Sequence, residues 1–158
     1  MARDVAARAR ARGIGAAAVD MDDIVFMVNG PDWRTVTAAH WSIARRAVAP
    51  FVDALFSSGS RIVIVAGPWF GQAERRELID GVRTKASLTV VALTVDLQHA
   101  VDRAAGDPAR TMSKDPALLA QIEKTIDWRG LPTDAITVAT DGLSAEEVGA
   151  RVWRALLD

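Results

Sequence analysis

Three carboxylates within four residues, Asp20, Asp22 and Asp23, follow a short apolar run at 16–19. The run reads as a buried strand. In an open α/β sheet, ligands bind just outside the carboxyl ends of the strands. Acids gathered there suit a metal site or a general base. The competing role is structural, since Asp20 or Asp22 can cap the helix that follows. A second candidate is the stretch Gly67-Pro68-Trp69-Phe70-Gly71, a rigid loop after the β-branched run at 61–66. Polar groups recur at later strand ends, at Asp96 and at Thr140 and Asp141. His40 falls on an apolar stripe and reads as a partly buried structural histidine rather than a catalytic one.

These residues need elements to hold them. Apolar periodicity predicts strands near 16–20, 61–66, 88–95 and 134–140, with helices between them. The first helix covers 2–12, its inward face being Ala2, Val5, Ala6 and Ala9, with Arg3, Arg8, Arg10 and Arg12 mostly on a solvated face. A short helix is expected over 24–28, stopped by Asn29-Gly30-Pro31. A long one follows over 35–57, with Val36, His40, Ile43, Ala47, Phe51 and Leu55 inward and Pro50 kinking or splitting it. Another runs from 72 to about 85. Asp96 caps the next, and Asp115-Pro116 opens a further one with proline in its first turn. Ser144 and Glu147 form a capping box for the last, whose inward face is Val148, Val152 and Leu156. The run at 61–66 is apolar on both faces, as a central parallel strand should be.

The whole-chain properties narrow the classes. The 158 residues, half of them apolar, make a single domain at 1–158 with a sizeable core, and no repeats are found. A net charge of −1 gives no reason to expect a nucleic acid or an anionic membrane as partner. The absence of cysteine removes disulfides, thiol nucleophiles and thiolate metal sites. No run approaches a membrane span and none resembles a signal peptide, so a cytoplasmic location is expected. Alternation of strands and helices predicts an α/β fold, a parallel sheet with helices on both faces.

In order and spacing the chain resembles the P-loop small-molecule kinases, the group of shikimate kinase, gluconate kinase, chloramphenicol phosphotransferase and related AAA-type ATPase domains. Asp20-Met21-Asp22 matches the acidic D-x-D after that group's second strand. Residues 62–67 match its third strand and glycine-containing substrate loop. Residues 96–110 match the segment leading to an arginine-bearing lid, here 106–116, and 141–157 match the closing turn and helix. The resemblance implies a three-layer P-loop NTPase-like sheet, ATP and Mg²⁺ as cofactors, and a small hydroxylated metabolite or antibiotic as phosphoryl acceptor. It gives Asp22 the part of base toward the acceptor hydroxyl and Asp20 that of magnesium ligand through water. Asp23, Gly67 and Trp69 would bind substrate, Arg110 would close on the transferring phosphate, and Arg103 would lie near the nucleotide or pair with Asp107.

The group's defining G-x-x-x-x-G-K-[S/T] is nowhere in the sequence, and no lysine precedes Lys85. In that group the loop and the central strand before it precede the helix matched by 2–12. The resemblance therefore implies a sheet without its first, central strand, a start upstream of Met1, and a 158-residue chain unable to transfer phosphate. The spatial order expected is first strand, second, gap, third, fourth. Two other readings stand beside it. One is a catalytically silent binding or oligomerisation domain, and the other a Mg-dependent phosphatase-type hydrolase using Asp20 and Asp22.

Overall fold

The computed structural model describes residues 1–30, 32–107 and 114–157. The elements come in the order α1 (Ala2–Arg10), β1 (Ala16–Asp20), α2 (Met21–Asn29), a 3-10 turn (Trp33–Thr35) and α3 (Ala38–Ser57). Then follow β2 (Ile62–Ala66), α4 (Gln72–Ile79), β3 (Val91–Thr94), α5 (Leu97–Gly106), α6 (Pro116–Thr125), β4 (Ile136–Ala139) and α7 (Ala145–Ala155). This is a mixed α/β architecture with two small parallel sheets. β1 pairs with β2, Ala16 opposite Ile62 through Asp20 opposite Ala66. β3 pairs with β4, Val91 opposite Ile136 through Thr94 opposite Ala139. Among the described residues there is no antiparallel pairing and none between β2 and β3. The expected four strands and their two pairings are present.

Two apolar clusters lie on opposite faces of the β1–β2 sheet, and one of them also covers β3 and β4. On one face α1 and α7 bring together Val5, Ala6, Ala9, Val148, Val152 and Trp153, against Ala16, Ile62, Ile64, Val91, Ile136 and Val138 from both sheets. Side chains alternate along a strand, so Val63 and Val65 point to the opposite face. There they join Met21, Val25, Ala44, Val48, Val52 and Leu78, contributed mainly by α2, α3 and α4. The inward face of α1 is the one its spacing predicts, with Ala2, Val5, Ala6 and Ala9 all buried. Small side chains there let α7 come close. A Cβ on Gly149 of α7 would overlap the Asp4 carboxylate of α1. The Ser144–Glu147 capping box forms as expected, Glu147 donating its N–H to Ser144 Oγ at 3.2 Å and accepting that of Ser144 at 2.8 Å. Asp96 and Asp115 cap α5 and α6.

Several expectations need correction. The run at 62–66 is no central strand among the described residues: β2 there pairs with β1 alone, and all five of its residues are half-buried. β3 is shorter than 88–95, and Leu88 is exposed. α2 starts at Met21 rather than 24, because Asp20 supplies the cap itself. α3 starts after Thr37 rather than at 35, while His40 is half-buried and structural as expected, closing a capping box with Thr37. Pro50 neither ends nor divides α3. α4 stops at Ile79.

The buried face of α3 is also different: Ala44, Arg45, Val48, Ala49 and Val52 face inward, while Ile43 and Phe51 are exposed. The helix offers two apolar stripes, and the one with smaller side chains permits closer packing. An ion pair reinforces that choice. Arg45, about 10% exposed, donates through Nε to Glu77 of α4 at 2.6 Å, and Ser42 adds a bond to the same carboxylate. The Arg45 hydrogen bond holds the Glu77 carboxyl below its ordinary value. Its stabilisation is present above the unfolded carboxyl pKa and is lost as pH falls through the lower folded value. On α7, Trp153 is buried where Leu156 was expected, and Leu156 is exposed.

Candidate functional site

The acidic cluster sits where the first strand hands over to α2. Asp20 is the last residue of β1 and the N-cap of α2, its Oδ1 accepting the Asp22 N–H at 3.1 Å. Asp22 and Asp23 occupy the first helical turn, where carboxylates favour the positive end of the helix dipole. Both are exposed. Asp23 pairs with Arg3 at 2.9 Å, which brings the first turn of α1 beside the start of α2. Structural capping, the competing role for these acids, is thus the one Asp20 fills.

Register places Gly67 next to this cluster, since Asp20 lies opposite Ala66. Gly67 is there for packing as much as for access. A Cβ at this position would stand 2.5 Å from Met21 Cγ, 2.6 Å from Met21 Cβ and 3.5 Å from Trp69 Nε1. Trp69 packs against the cluster around Met21 and Val25. Asp20, Gly67 and Trp69 therefore share one neighbourhood at the carboxyl edge of the β1–β2 sheet.

Arg103 lies elsewhere, at the carboxyl end of the β3–β4 sheet. It donates through Nη2 to the Thr140 carbonyl at 2.8 Å, tying α5 to the end of β4. Beside it, Asp141 accepts the Asp96 N–H at 2.7 Å and stands 3.4 Å from His99 Nδ1. The Asp96 N–H, then nearby His99 and Arg103, keep the Asp141 carboxyl below its usual range. Arg110 and most of the 106–116 segment lie outside the described residues.

A magnesium ion held by protein side chains does not fit these groups. Among the described residues no three His, Cys, Asp or Glu side chains converge on a metal position, and Asp20 has one oxygen committed to capping. A nucleotide polyphosphate fits no better, because the sequence has no glycine-lysine loop to wrap it. A shallow hollow of about 580 Å³ lies away from the acids, lined by Pro50, Asp53, Ser57, Gly81, Arg83 and Thr84. Asp53 there serves as a loop anchor, accepting the N–H groups of Arg83 and Thr84 at 2.8–3.1 Å.

Two features escape the sequence reading. His99 follows Asp96 by three residues on a helix start, a spacing that could have drawn it into the polar set. Arg75 carried no such signal. It is 8% exposed and spans two loops, donating to the carbonyls of Trp69 and Gly130. It fixes the loop after β2 against the segment before β4.

The capping role of Asp20 can be measured. Asp20→Ala should lower stability by about 1 kcal/mol, and Asp20→Ser, which keeps a capping oxygen, by only a few tenths. Equal losses in urea denaturation would show that capping is not what the carboxylate contributes.

Comparison of the chain with protein-family models and with curated proteins finds no match.

Proposed function

We propose that this chain is the acceptor-side scaffold of a small-molecule kinase, a P-loop NTPase-like fold without its phosphate loop in these 158 residues. The observation that carries this reading is the strand arrangement. Two parallel pairs, β1–β2 and β3–β4, share a helix layer yet do not join between β2 and β3. A sheet of that family lacking its central strand would divide in this way. The placement of Asp20, Asp22 and Asp23 beside Gly67, at a carboxyl edge, adds support. In a loop-bearing form, the resemblance would make ATP with Mg²⁺ the phosphoryl donor and a small hydroxylated compound the acceptor. Asp22, exposed in the first turn of α2, would stand on the acceptor side and take the proton of the acceptor hydroxyl. Near-neutral charge argues against a nucleic acid or a membrane as partner, and the cytoplasm is the proposed compartment.

One observation favours a second reading. Asp20 is committed to capping, and among the described residues the acids form no metal cluster, which suits a catalytically silent binding module.

The two separate in one experiment. The chain is extended ahead of Met1 by a strand and a G-x-x-x-x-G-K-[S/T] loop, then given Mg-ATP and a panel of sugars, hydroxy acids and aminoglycosides. Acceptor-dependent ADP release supports the kinase. In that form Asp22→Asn should lower turnover at least about a hundredfold, the usual contribution of a general base, and leave ATP affinity nearly unchanged. Unchanged turnover removes Asp22 from the mechanism, and ATP binding without transfer to any acceptor favours the silent module.

A further inference from the structure

The connection between α2 and α3 is fastened at both ends, by different chemistry. At the α2 end, Asn29 donates through Nδ2 to the Asp32 carbonyl at 3.2 Å and to Thr35 Oγ1 at 2.8 Å. A carboxamide does not titrate. Between the ends, Trp33 lies against Phe26 of α2, ring centres 4.4 Å apart, and stacks on Trp41 of α3 at 6.0 Å. At the α3 end, His40 stands in the third helical position, which a capping box ordinarily gives to Glu or Gln. Thr37 donates its backbone N–H to His40 Nδ1 at 3.2 Å, and Thr37 Oγ1 accepts the His40 N–H at 3.5 Å.

A ring nitrogen accepts a hydrogen bond only while it carries no proton. The bond from Thr37 therefore selects the neutral ring with its proton on Nε2. Glu or Gln in this place would accept throughout mildly acid and neutral pH, and imidazole does not. Once protonated, Nδ1–H and the Thr37 N–H are two donors 3.2 Å apart. The acceptor left to the ring is Thr37 Oγ1, 3.3 Å away, and turning to it abandons the backbone N–H. The cation would also sit in the first turn of a 20-residue helix, at the positive end of its dipole.

The surrounding charges do not offset that cost. α3 packs on α2, α4 and β2, and β2 carries no charged residue. On α2, Asp22 and Asp23 lie in the first turn, and Asp23 is held by Arg3. On α4, Glu74 accepts from the Gly71 N–H, Glu77 is held by Arg45, Arg75 bonds two carbonyls and Arg76 is exposed. In the connection, Asp32 pairs with Arg34 at 3.0 Å. On α3 itself, Arg46 donates to Ser42 and Asp53 accepts from the 83–84 backbone. Among the described residues no carboxylate pairs with His40.

We infer that the α2–α3 connection is a strap with a proton-operated catch. Protonation of His40 frees the strap at Thr37, while Asn29 keeps its other end closed on α2. The stretch that gains freedom is Val36–Thr37, next to the Trp33–Trp41 stack. The inference involves neither nucleotide nor acceptor and stands apart from the kinase reading.

The test compares the 158-residue chain with His40→Gln, which keeps the capping acceptor and does not titrate, at pH 8 and pH 5. These values bracket the ordinary imidazole range near about 6.5. Ring-nitrogen NMR shifts at pH 8 should show the proton of His40 on Nε2, and a proton on Nδ1 overturns the inference. Between pH 8 and pH 5 the protection factor of the Thr37 amide should fall at least about threefold. That of Thr35, whose N–H goes to the Asp32 carbonyl at 3.1 Å, should hold. In His40→Gln both should hold. An unchanged Thr37, an equal fall at Thr35, or an equal fall in His40→Gln overturns the catch. Urea denaturation supplies a second reading. The folding constant of the unaltered chain relative to His40→Gln should be at least about threefold lower at pH 5 than at pH 8. The other titrating groups cancel in that ratio. A ratio independent of pH would make His40 a structural cap and nothing more.

Discussion

Trp153→Ala should be among the most damaging single substitutions, lowering stability by about 3–5 kcal/mol. For a domain of this size that corresponds to a fall in melting temperature of roughly 6–20 °C. The indole is 4% exposed and stands in the cluster where α1 and α7 close over both sheets. Truncation leaves a large cavity in the layer that holds the unjoined sheets together. It also removes the stacking of Arg12, whose guanidinium lies 5.1 Å from the ring centre. Trp153→Phe should cost far less, about 1–1.5 kcal/mol. The indole Nε1 is buried with no hydrogen-bond partner among the described residues. Replacing it by carbon therefore removes an unsatisfied donor, which offsets part of the lost packing. Urea denaturation of the two variants decides the matter. A phenylalanine variant as unstable as the alanine one would mean that the indole nitrogen has a partner.

The same residue shows why the sequence was only partly legible. On α7 the spacing of Val148 and Val152 made the inward face plain, but continuing it to Leu156 skipped Trp153. The partner that covers Trp153 is α1, and contact between the first and last helices is not encoded in local spacing. On α1 the inward face was fully readable because four small apolar residues alternate with arginines. On α3 it was not. Apolar residues ring that helix, and the choice between Ile43–Phe51 and Ala44–Val48–Val52 is made by closeness of approach and by the Arg45–Glu77 pair. A buried arginine at a core position reads as outward in any local pattern. At the site, the carboxyl-edge placement of Asp20 and Gly67 was legible because it follows from where strands end. The roles of Arg103 and Arg75 were not, since their carbonyl partners, Thr140 and Gly130, are distant in sequence and backbone acceptors carry no residue signature.

The second large effect concerns nucleotide. The 158-residue chain should bind Mg-ATP more weakly than about millimolar, at least a thousandfold below micromolar affinity. A micromolar dissociation constant needs about 8 kcal/mol. A helix N-terminus offers an exposed anion about 0.3–1 kcal/mol, rising to ~2 in a partly buried site. The first turn of α1 is poorer than that in effect. Its N–H groups lack a capping side chain, but Asp23 of α2 stands beside that turn. A triphosphate approaching this edge meets the Asp23 carboxylate, and Arg3 is already engaged by it at 2.9 Å. Magnesium does not reverse the sign, because Mg-ATP is still an anion. Isothermal titration of the chain with Mg-ATP measures this directly. No heat of binding below millimolar concentration is the expected result. A micromolar isotherm would mean that the phosphates are recognised without a glycine-lysine loop, and would overturn the placement of the nucleotide at the α1 edge.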